Sequence, residues 1–484
     1  MFVFEDSVCF GHQQHVFTLS DEVSRISVRA KTLKKAFLYL YLYDPEGELR
    51  TSFVIEKPLS VTSIGVESAS LGGIAGKFSL GEWRIEIFNL EGEFRREKAM
   101  DYQIQVDVQL ATDTQSATDS YDLSIETVNC MNSDRSIDFD MQRNLMDQAQ
   151  WYRGDLHAHT LLSDGSNTLE EATDIAESQN LDFLFLTEHN LAHPRLPKSD
   201  TCLFLPAYEV TTDLGHFNLH GPDRALDVNK NHYKSKELIE QGRQIAQQIG
   251  ANLCVNHAMM KPWHWHYADM KLASINTLEI ICDPTWSTSS RAAEEALVLL
   301  SAMWNNGHKI AGVGGSDSHL KPDQRNPNAT EPSLYGDPLT WVFANNLSGV
   351  GIVEGLKAGH VYFERHCQLG FNINKGALLP SQGVDGGDVV HQINVGNVSQ
   401  PFYAERVVDG VVLERIQLSE EHITFTTNLA DAKWVRIDIR RGQLIGHQEM
   451  KGELEGMINP VFNLQNPIFA HPVCDTWGEL VETI

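Results

Sequence analysis

The chain has 484 residues, more than one hydrophobic core usually organises, so two or three domains are expected. Its 65 acidic and 38 basic residues leave a net charge of −27, which opposes a phosphate backbone and argues against a nucleic-acid partner. The 7 cysteines (Cys9, Cys130, Cys202, Cys254, Cys282, Cys367 and Cys474) are odd in number and form no Cys-x-x-Cys pair, so they read as reduced thiols. No apolar run reaches membrane-spanning length, and the start lacks a basic region followed by a long apolar core; a soluble, cytoplasmic protein with no membrane partner is expected.

Residues 1–148 read as a β-sandwich-like domain. Ala36–Tyr43 is aromatic-rich and strand-like, Asp44-Pro-Glu-Gly47 is a turn signal, and Trp83–Phe88 and Tyr102–Val108 alternate apolar and polar residues. Asp113–Ser124, rich in Thr, Ser, Asp and Gln, reads as a flexible excursion or an ordinary exposed loop.

From 149 to 368 strand and helix patterns alternate. Gly154-Asp-Leu-His157-Ala-His159-Thr160 is followed closely by Ser163-Asp164-Gly165. In extended backbone His-x-His puts both imidazoles on one face, where they can hold one metal ion. Similar chemistry recurs downstream. Leu181–Leu186 leads to Thr187-Glu188-His189, Leu203–Leu205 to Tyr208-Glu209, Leu253–Val255 to Asn256-His257, and Ile310–Val313 to Asp317-Ser318-His319. Each time a ligand-type residue follows the C-terminal end of an apolar strand.

Between them, Thr168–Gln179 opens with the Thr168/Glu171 capping-box signature, and Ser235–Ile249 and Arg291–Trp304 carry apolar residues at helical spacing. Strand then helix, repeated, predicts a parallel sheet or barrel whose active site gathers at the strand C-termini. In Gly215–Gly221 a strand puts His216, Asn218 and His220 on one face, and either histidine can be a ligand. Just past His257, the loop Lys261-Pro-Trp263-His264-Trp-His-Tyr267 either lines a substrate pocket or packs between domains; Lys261, Trp263 and His264 are its substrate-binding candidates. His12, His15, His193, His232, His308, His391, His422, His447 and His471 have no such context and read as solvated or structural.

Residues 369–484 return to strand texture, with short candidates at Val389–Val395, Phe402–Val408, Ile423–Thr426 and Trp434–Ile439. No ligand series recurs there, and the segment reads as an all-β accessory region.

In order along roughly residues 150 to 366, His157-x-His159, Asp164, Thr187-Glu188-His189, Glu209, Asn256-His257 and Asp317-Ser318-His319 resemble the polymerase and histidinol phosphatase (PHP) superfamily of metallohydrolases. Glu209–Asn218, the Gly-Gly-Ser-Asp-Ser-His ending, Gly336-Asp-Pro-Leu-Thr-Trp-Val and Glu354–Tyr362 are similar to its carbaryl-hydrolase-like branch. The resemblance implies an α/β fold, a distorted (β/α)7 barrel, here flanked by the N-terminal β-sandwich and the C-terminal all-β region. It implies two or three divalent ions, and imidazole and carboxylate ligands suit zinc, manganese or iron.

One ion would be held by His157, His159, Glu209 and Asp317. Glu209 would bridge to a second, bound by His257 and by His216, which is favoured over His220 because its distance from Glu209 matches the branch. A third would use Asp164, His189 and His319. The implied activity is hydrolysis of a small-molecule ester by a metal-activated hydroxide, with a phosphoester favoured. Carboxyl or carbamate ester hydrolysis at the same centre is the alternative, and a non-catalytic, metal-stabilised binding protein is the third reading. No catalytic side chain beyond the ligands is assigned, except that His189 or His319 can serve as the acid where not engaged as a ligand.

Overall fold

The computed structural model describes residues 1–32, 37–56, 59–90, 99–112, 126–127, 137, 139–444 and 452–484. The excursion expected at 113–124 lies outside them apart from its neighbours, as do Ala36, Cys130 and His447.

Two antiparallel sheets form the N-terminal part. One is ordered Gly11–Leu19, Gly81–Asn89, Leu38–Tyr43, Leu49–Ile55. The other runs Phe2–Val8, Met100–Leu110, Val23–Thr32, Ser60–Gly65, with short strands at its edge. Trp83, Ile85 and Ile87 of the first meet Ile26, Val28, Ile104 and Val106 of the second in a common core. Leu38–Tyr43 is buried on both faces, and the period-two alternation of strand side chains divides it cleanly. Leu38, Leu40 and Leu42 enter the sandwich core, whereas Tyr39, Tyr41 and Tyr43 join a larger core that continues into the central region.

The central region is a ring of strands. Gln150–Asp155 pairs in parallel with Phe183–Phe185, and a second sheet is ordered Ala207–Thr212, Gly215–His220, Asn252–Val255, Thr277–Cys282, Ala311–Gly315. Two isolated parallel bridges, His189 to Glu209 and Ala158 to Ser318, link the sheets at both seams. Helices Leu169–Ser178, Ser235–Ile249 and Ser289–Asn305 occupy the predicted positions, the first with the Thr168/Glu171 capping box formed.

The regular alternation implied by a (β/α)7 barrel is met only in part. Ala207–Thr212 and Gly215–His220 form an antiparallel hairpin, and the latter is also antiparallel to Asn252–Val255. Only Asp213 and Leu214 separate the hairpin strands, whereas a parallel crossover needs a dozen residues or more. Glu209 and His216 therefore sit inside strands, correcting the expectation that each ligand follows a strand end.

The C-terminal region is continuous with the ring. Leu339–Ala344 and Val361–Glu364 extend the Gln150–Asp155 sheet through Glu453–Asn463, Trp434–Arg441, Phe402–Val408 and Val411–Gln417. A small sheet of Leu369–Ile373, Asp388–Val395 and Ile423–Asn428 packs on it through Val389, Ile393 and Phe425. Buried Asn459 both donates to the Gly312 carbonyl and accepts from the Gly312 amide, each at 2.7 Å, fastening this region to a ring strand. Among the described residues no helix is long and apolar enough to cross a membrane.

Candidate metal centre

The first ring strand ends at Asp155, and His157 and His159 follow it in the extended segment pinned by the Ala158–Ser318 bridge. Buried Asp155 secures both sides of that seam, accepting from the amides of His157 (3.1 Å), Ser316 (3.0 Å) and Gly336 (2.8 Å). The alternation predicted for His-x-His holds, and the two imidazole centroids lie 5.2 Å apart.

Asp317 Oδ1 reaches both rings, 3.2 Å from His157 Nε2 and 3.1 Å from His159 Nε2. Glu209 is wholly buried at the centre. Its oxygens lie 3.5 Å from His157 Nε2, 3.8 Å from His159 Nε2, 3.1 Å from His216 Nδ1, 3.4 Å from His257 Nε2 and 2.6 Å from His189 Nδ1. Asp164 Oδ1 faces His319 Nε2 at 3.1 Å and His189 Nε2 at 3.4 Å. All nine residues singled out in the sequence as metal ligands are thus brought together.

Their grouping differs in detail from the one the resemblance implies. His159 gathers with Asp164, His189 and His319 as well as with His157 and Asp317, and Glu209 groups most compactly with His189 and His216. The residues form one continuous cluster because strand and loop ligands interleave at the seams. His220 faces elsewhere: its Nε2–H donates to the Leu156 carbonyl (2.8 Å) and its Nδ1 accepts from Asn252 (2.9 Å). Burial lowers its pKa to about 4 and keeps it neutral. His216, not His220, meets Glu209.

Lys261 is exposed, Trp263 packs edge-on against Trp286 with centroids 5.8 Å apart, and half-buried His264 lies against His266. These three form part of the loop beyond His257.

The cluster's electrostatics couple the histidines to the carboxylates. Burial opposes charge on His157, yet Asp317, Glu279 and Glu209 outweigh it and raise its pKa well above the usual value. Burial together with the like-charged neighbours His319 and His189 lowers His159 to about 4. Against the same burial, Asp164 and Glu209 raise His189 to about 9, and Asp164 with Asp317 raises His319 to about 10. Yet the His159 ring stacks on those of His319 and His189, centroids 4.1 Å and 4.4 Å apart.

Hydrogen bonding sharpens the point. His157 Nδ1–H donates to Glu279 Oε1 at 3.0 Å, which turns Nε2 toward the Asp317 and Glu209 carboxylates. That Nε2 and the Nε2 of His159 are buried against carboxylate oxygens, and His159 Nδ1 is buried without a hydrogen-bond partner. A buried polar atom left so costs about 1–3 kcal/mol. Electron-pair donors converging on one another in a largely buried site fit divalent cations, and nitrogen with carboxylate oxygen suits zinc, manganese or iron. Non-glycine residues with left-handed backbone cluster here too, at Asn190 (φ 51°), His257 (φ 28°) and Asp317 (φ 46°), a strain typical of functional sites.

Sequence reasoning misses several supporting residues. Glu279 orients His157 and accepts from the His257 amide at 2.9 Å. A lone carboxylate inside the apolar run Thr277–Cys282 is its readable signal. Gly315 lies so close to Glu279 and His157 that a Cβ there would collide with both. Asn256 donates to Glu209 at 2.8 Å, and Thr211 Oγ1 lies 2.6 Å from His189 Nδ1. Buried Glu188 accepts from the Thr160 amide (2.9 Å) and hydroxyl (2.6 Å), from the Ser163 amide (3.1 Å) and from His193 Nε2 (2.9 Å), shaping the loop that carries Asp164. Cys282 Sγ lies 3.4 Å from Asp317 Oδ2.

No protein-family model and no curated relative matches the chain. Among solved structures, it is similar to a two-domain protein containing a predicted PHP-like metal-dependent phosphoesterase from Bacteroides vulgatus, at 16% identity over 64% of this chain and 96% of that one, TM-score 0.36. A candidate metal-dependent phosphoesterase from Bifidobacterium adolescentis shares 13% identity over 38% of this chain and 92% of its own, TM-score 0.25. An amidohydrolase from Chromobacterium violaceum shares 14% over 37% and 93%, TM-score 0.21. Likeness this distant leaves the functional reading to the geometry of the site.

Proposed function

We propose that the chain is a metal-dependent hydrolase of the PHP type acting on ester bonds of a small molecule, with phosphoesters favoured. The observation that carries this reading is the buried face where the Nε2 atoms of His157 and His159 converge with the Asp317 and Glu209 carboxylates. Two or three divalent ions held by His157, His159, Asp164, His189, Glu209, His216, His257, Asp317 and His319 would supply Lewis acidity to a water nucleophile and to the substrate oxygen.

The chain's own residues divide the remaining tasks. His157, His159 and Glu209 are sealed from solvent, whereas the side chains of Asp317, Asp164 and His319 are 17%, 24% and 28% exposed, so substrate approaches on their side. Glu279 fixes the His157 ring, and Thr211 and Asn256 hold His189 and Glu209. His319 is the more accessible acid candidate for the leaving oxygen; His189 is more enclosed and contacts Glu209 and Asp164 through its two ring nitrogens. The net charge of −27 weakens attraction for strongly anionic substrates, which favours carboxyl or carbamate esters as the second reading.

Assays of a phosphomonoester, a phosphodiester, a carboxyl ester and a carbamate, with and without chelator, test the proposal. Chelator-sensitive turnover, strongest on a phosphoester and lost in His157→Ala/His159→Ala, is expected. Turnover indifferent to chelator and to that double substitution contradicts it; turnover confined to the carboxyl ester or carbamate replaces the substrate class and retains the metal centre.

A further inference from the structure

We infer that the crevice between the N-terminal sandwich and the ring is a second binding site, distinct from the metal centre, for a neutral polyhydroxylated ligand of the sugar type. A cavity of about 400 Å³ opens there, within the range of roughly 300–1,000 Å³ usual for small-ligand sites, which favour such junctions. None of the residues of the metal cluster lines it. Tyr43, in its floor, shares a strand face with Tyr39, whose hydroxyl accepts from Asn190 beside His189. Four residues of strand, roughly 13 Å, separate the two tyrosines.

Strand register builds the floor. Along Gly81–Asn89 the period of two brings Glu82, Arg84, Glu86 and Phe88 to one face, while Trp83, Ile85 and Ile87 enter the sandwich core. Gln14 stands opposite Glu86 on one neighbouring strand, and Tyr43 opposite Arg84 on the other. Buried Glu86 is held by His12 Nε2 and Arg84 Nε, and the Arg84 guanidinium lies over the Tyr43 ring, 4.9 Å from its centroid. These polar groups are thus oriented by the protein itself.

The facing wall is the ring's segment Asp227–His232, folded back by two backbone hydrogen bonds between Asn229 and His232. Buried Val228 anchors it in the core that holds Tyr43 and Phe88. Asp227, Lys230 and Asn231 are exposed along it and border the cavity.

The lining mixes both kinds of hydrogen-bonding group. Glu82 and Asp227 accept, Arg84 and Lys230 donate, and Gln14 and Asn231 do both. An anion here meets Glu82, Glu86 and Asp227, and a cation meets Arg84 and Lys230, so either sets like charges against each other. Hydroxyls donate and accept, so several of them on a compact ring satisfy both sets without bringing net charge. Tyr43 and Phe88 add the apolar surface on which the C–H face of such a ring packs.

Calorimetric titration of the full chain with glucose, galactose, N-acetylglucosamine and cellobiose, beside glycine as a zwitterion and inorganic phosphate as an anion, tests the site. At least one sugar is expected to bind, and glycine and phosphate are not expected to compete with it. Glu82→Ala and Asn231→Ala, both at exposed positions, should each weaken that binding about tenfold, the worth of a hydrogen bond to a polar or charged group, with metal content and unfolding midpoint unchanged. Absence of binding by all four sugars, displacement of the bound sugar by glycine or phosphate, or sugar affinity unaltered in both variants overturns the inference. Each of these outcomes leaves the hydrolase reading standing, because the metal cluster takes no part in the site.

Discussion

His157 depends on a residue 122 positions away: Glu279 accepts its Nδ1–H and so decides where its second nitrogen points. The residues of the cluster were legible as candidates because each lies in a short motif whose chemistry is local, such as His157-x-His159 or Asp317-Ser318-His319. Glu279 was not, because its value comes from closure of the ring, and nothing near it in sequence is a ligand motif. His220 shows the converse limit, since it shares a strand face with His216 yet its hydrogen bonds to Leu156 and Asn252 consume both nitrogens.

Outside the centre, His391 is a buried histidine whose two ring nitrogens have no hydrogen-bond partner, and burial lowers its pKa to about 4 from 6.5. A folded pKa below the unfolded value means that the unfolded chain takes up the proton first as pH falls. Its titration therefore costs no appreciable stability at pH 7 but destabilises progressively between about pH 6.5 and pH 4. At pH 4.5 the cost is about 2–3 kcal/mol. Urea unfolding at pH 7 and pH 4.5 should show that His391→Leu loses less stability across this interval than wild type, by about that amount. An identical pH dependence in the two proteins would remove His391 from the account.

At the scale of elements, the helices were readable because their signals are internal: Ser235–Ile249 spans the predicted range, and the Thr168/Glu171 box forms as its spacing requires. Strand direction was not, because period and hydrophobicity are the same in parallel and antiparallel strands; only the two-residue connection between Thr212 and Gly215 reveals the hairpin. The loop from His159 to Asp164 is a further element whose shape is imposed from outside it. Glu188 there accepts from backbone and hydroxyl donors of Thr160 and Ser163 and from His193, a role for His193 consistent with its structural reading. Glu188→Gln replaces one acceptor oxygen by a donor facing these groups. It should lower stability by about 1–3 kcal/mol in urea unfolding and loosen metal held by Asp164, measured by competition with a chromogenic chelator. Unchanged stability and metal affinity would show that the loop holds its shape without Glu188.

Across the whole molecule the sheet systems share cores and strands. Tyr39, Tyr41 and Tyr43 carry the central core into the sandwich, and one sheet runs without a break from the Gln150–Asp155 strand into the C-terminal region. Neither continuity was legible, since an alternating strand shows which residues are apolar but not which neighbouring layer covers each face. This architecture sets histidines and carboxylates from distant segments around one buried face while leaving Asp164, Asp317 and His319 partly exposed. The central claim is that this face exists to hold divalent cations. Its most direct measurement is the metal content of the full chain after equilibration with zinc, manganese or iron and removal of free ion. The account predicts two or three equivalents in wild type and a loss of at least one in His157→Ala/His159→Ala; a folded wild type that retains none of these metals contradicts it.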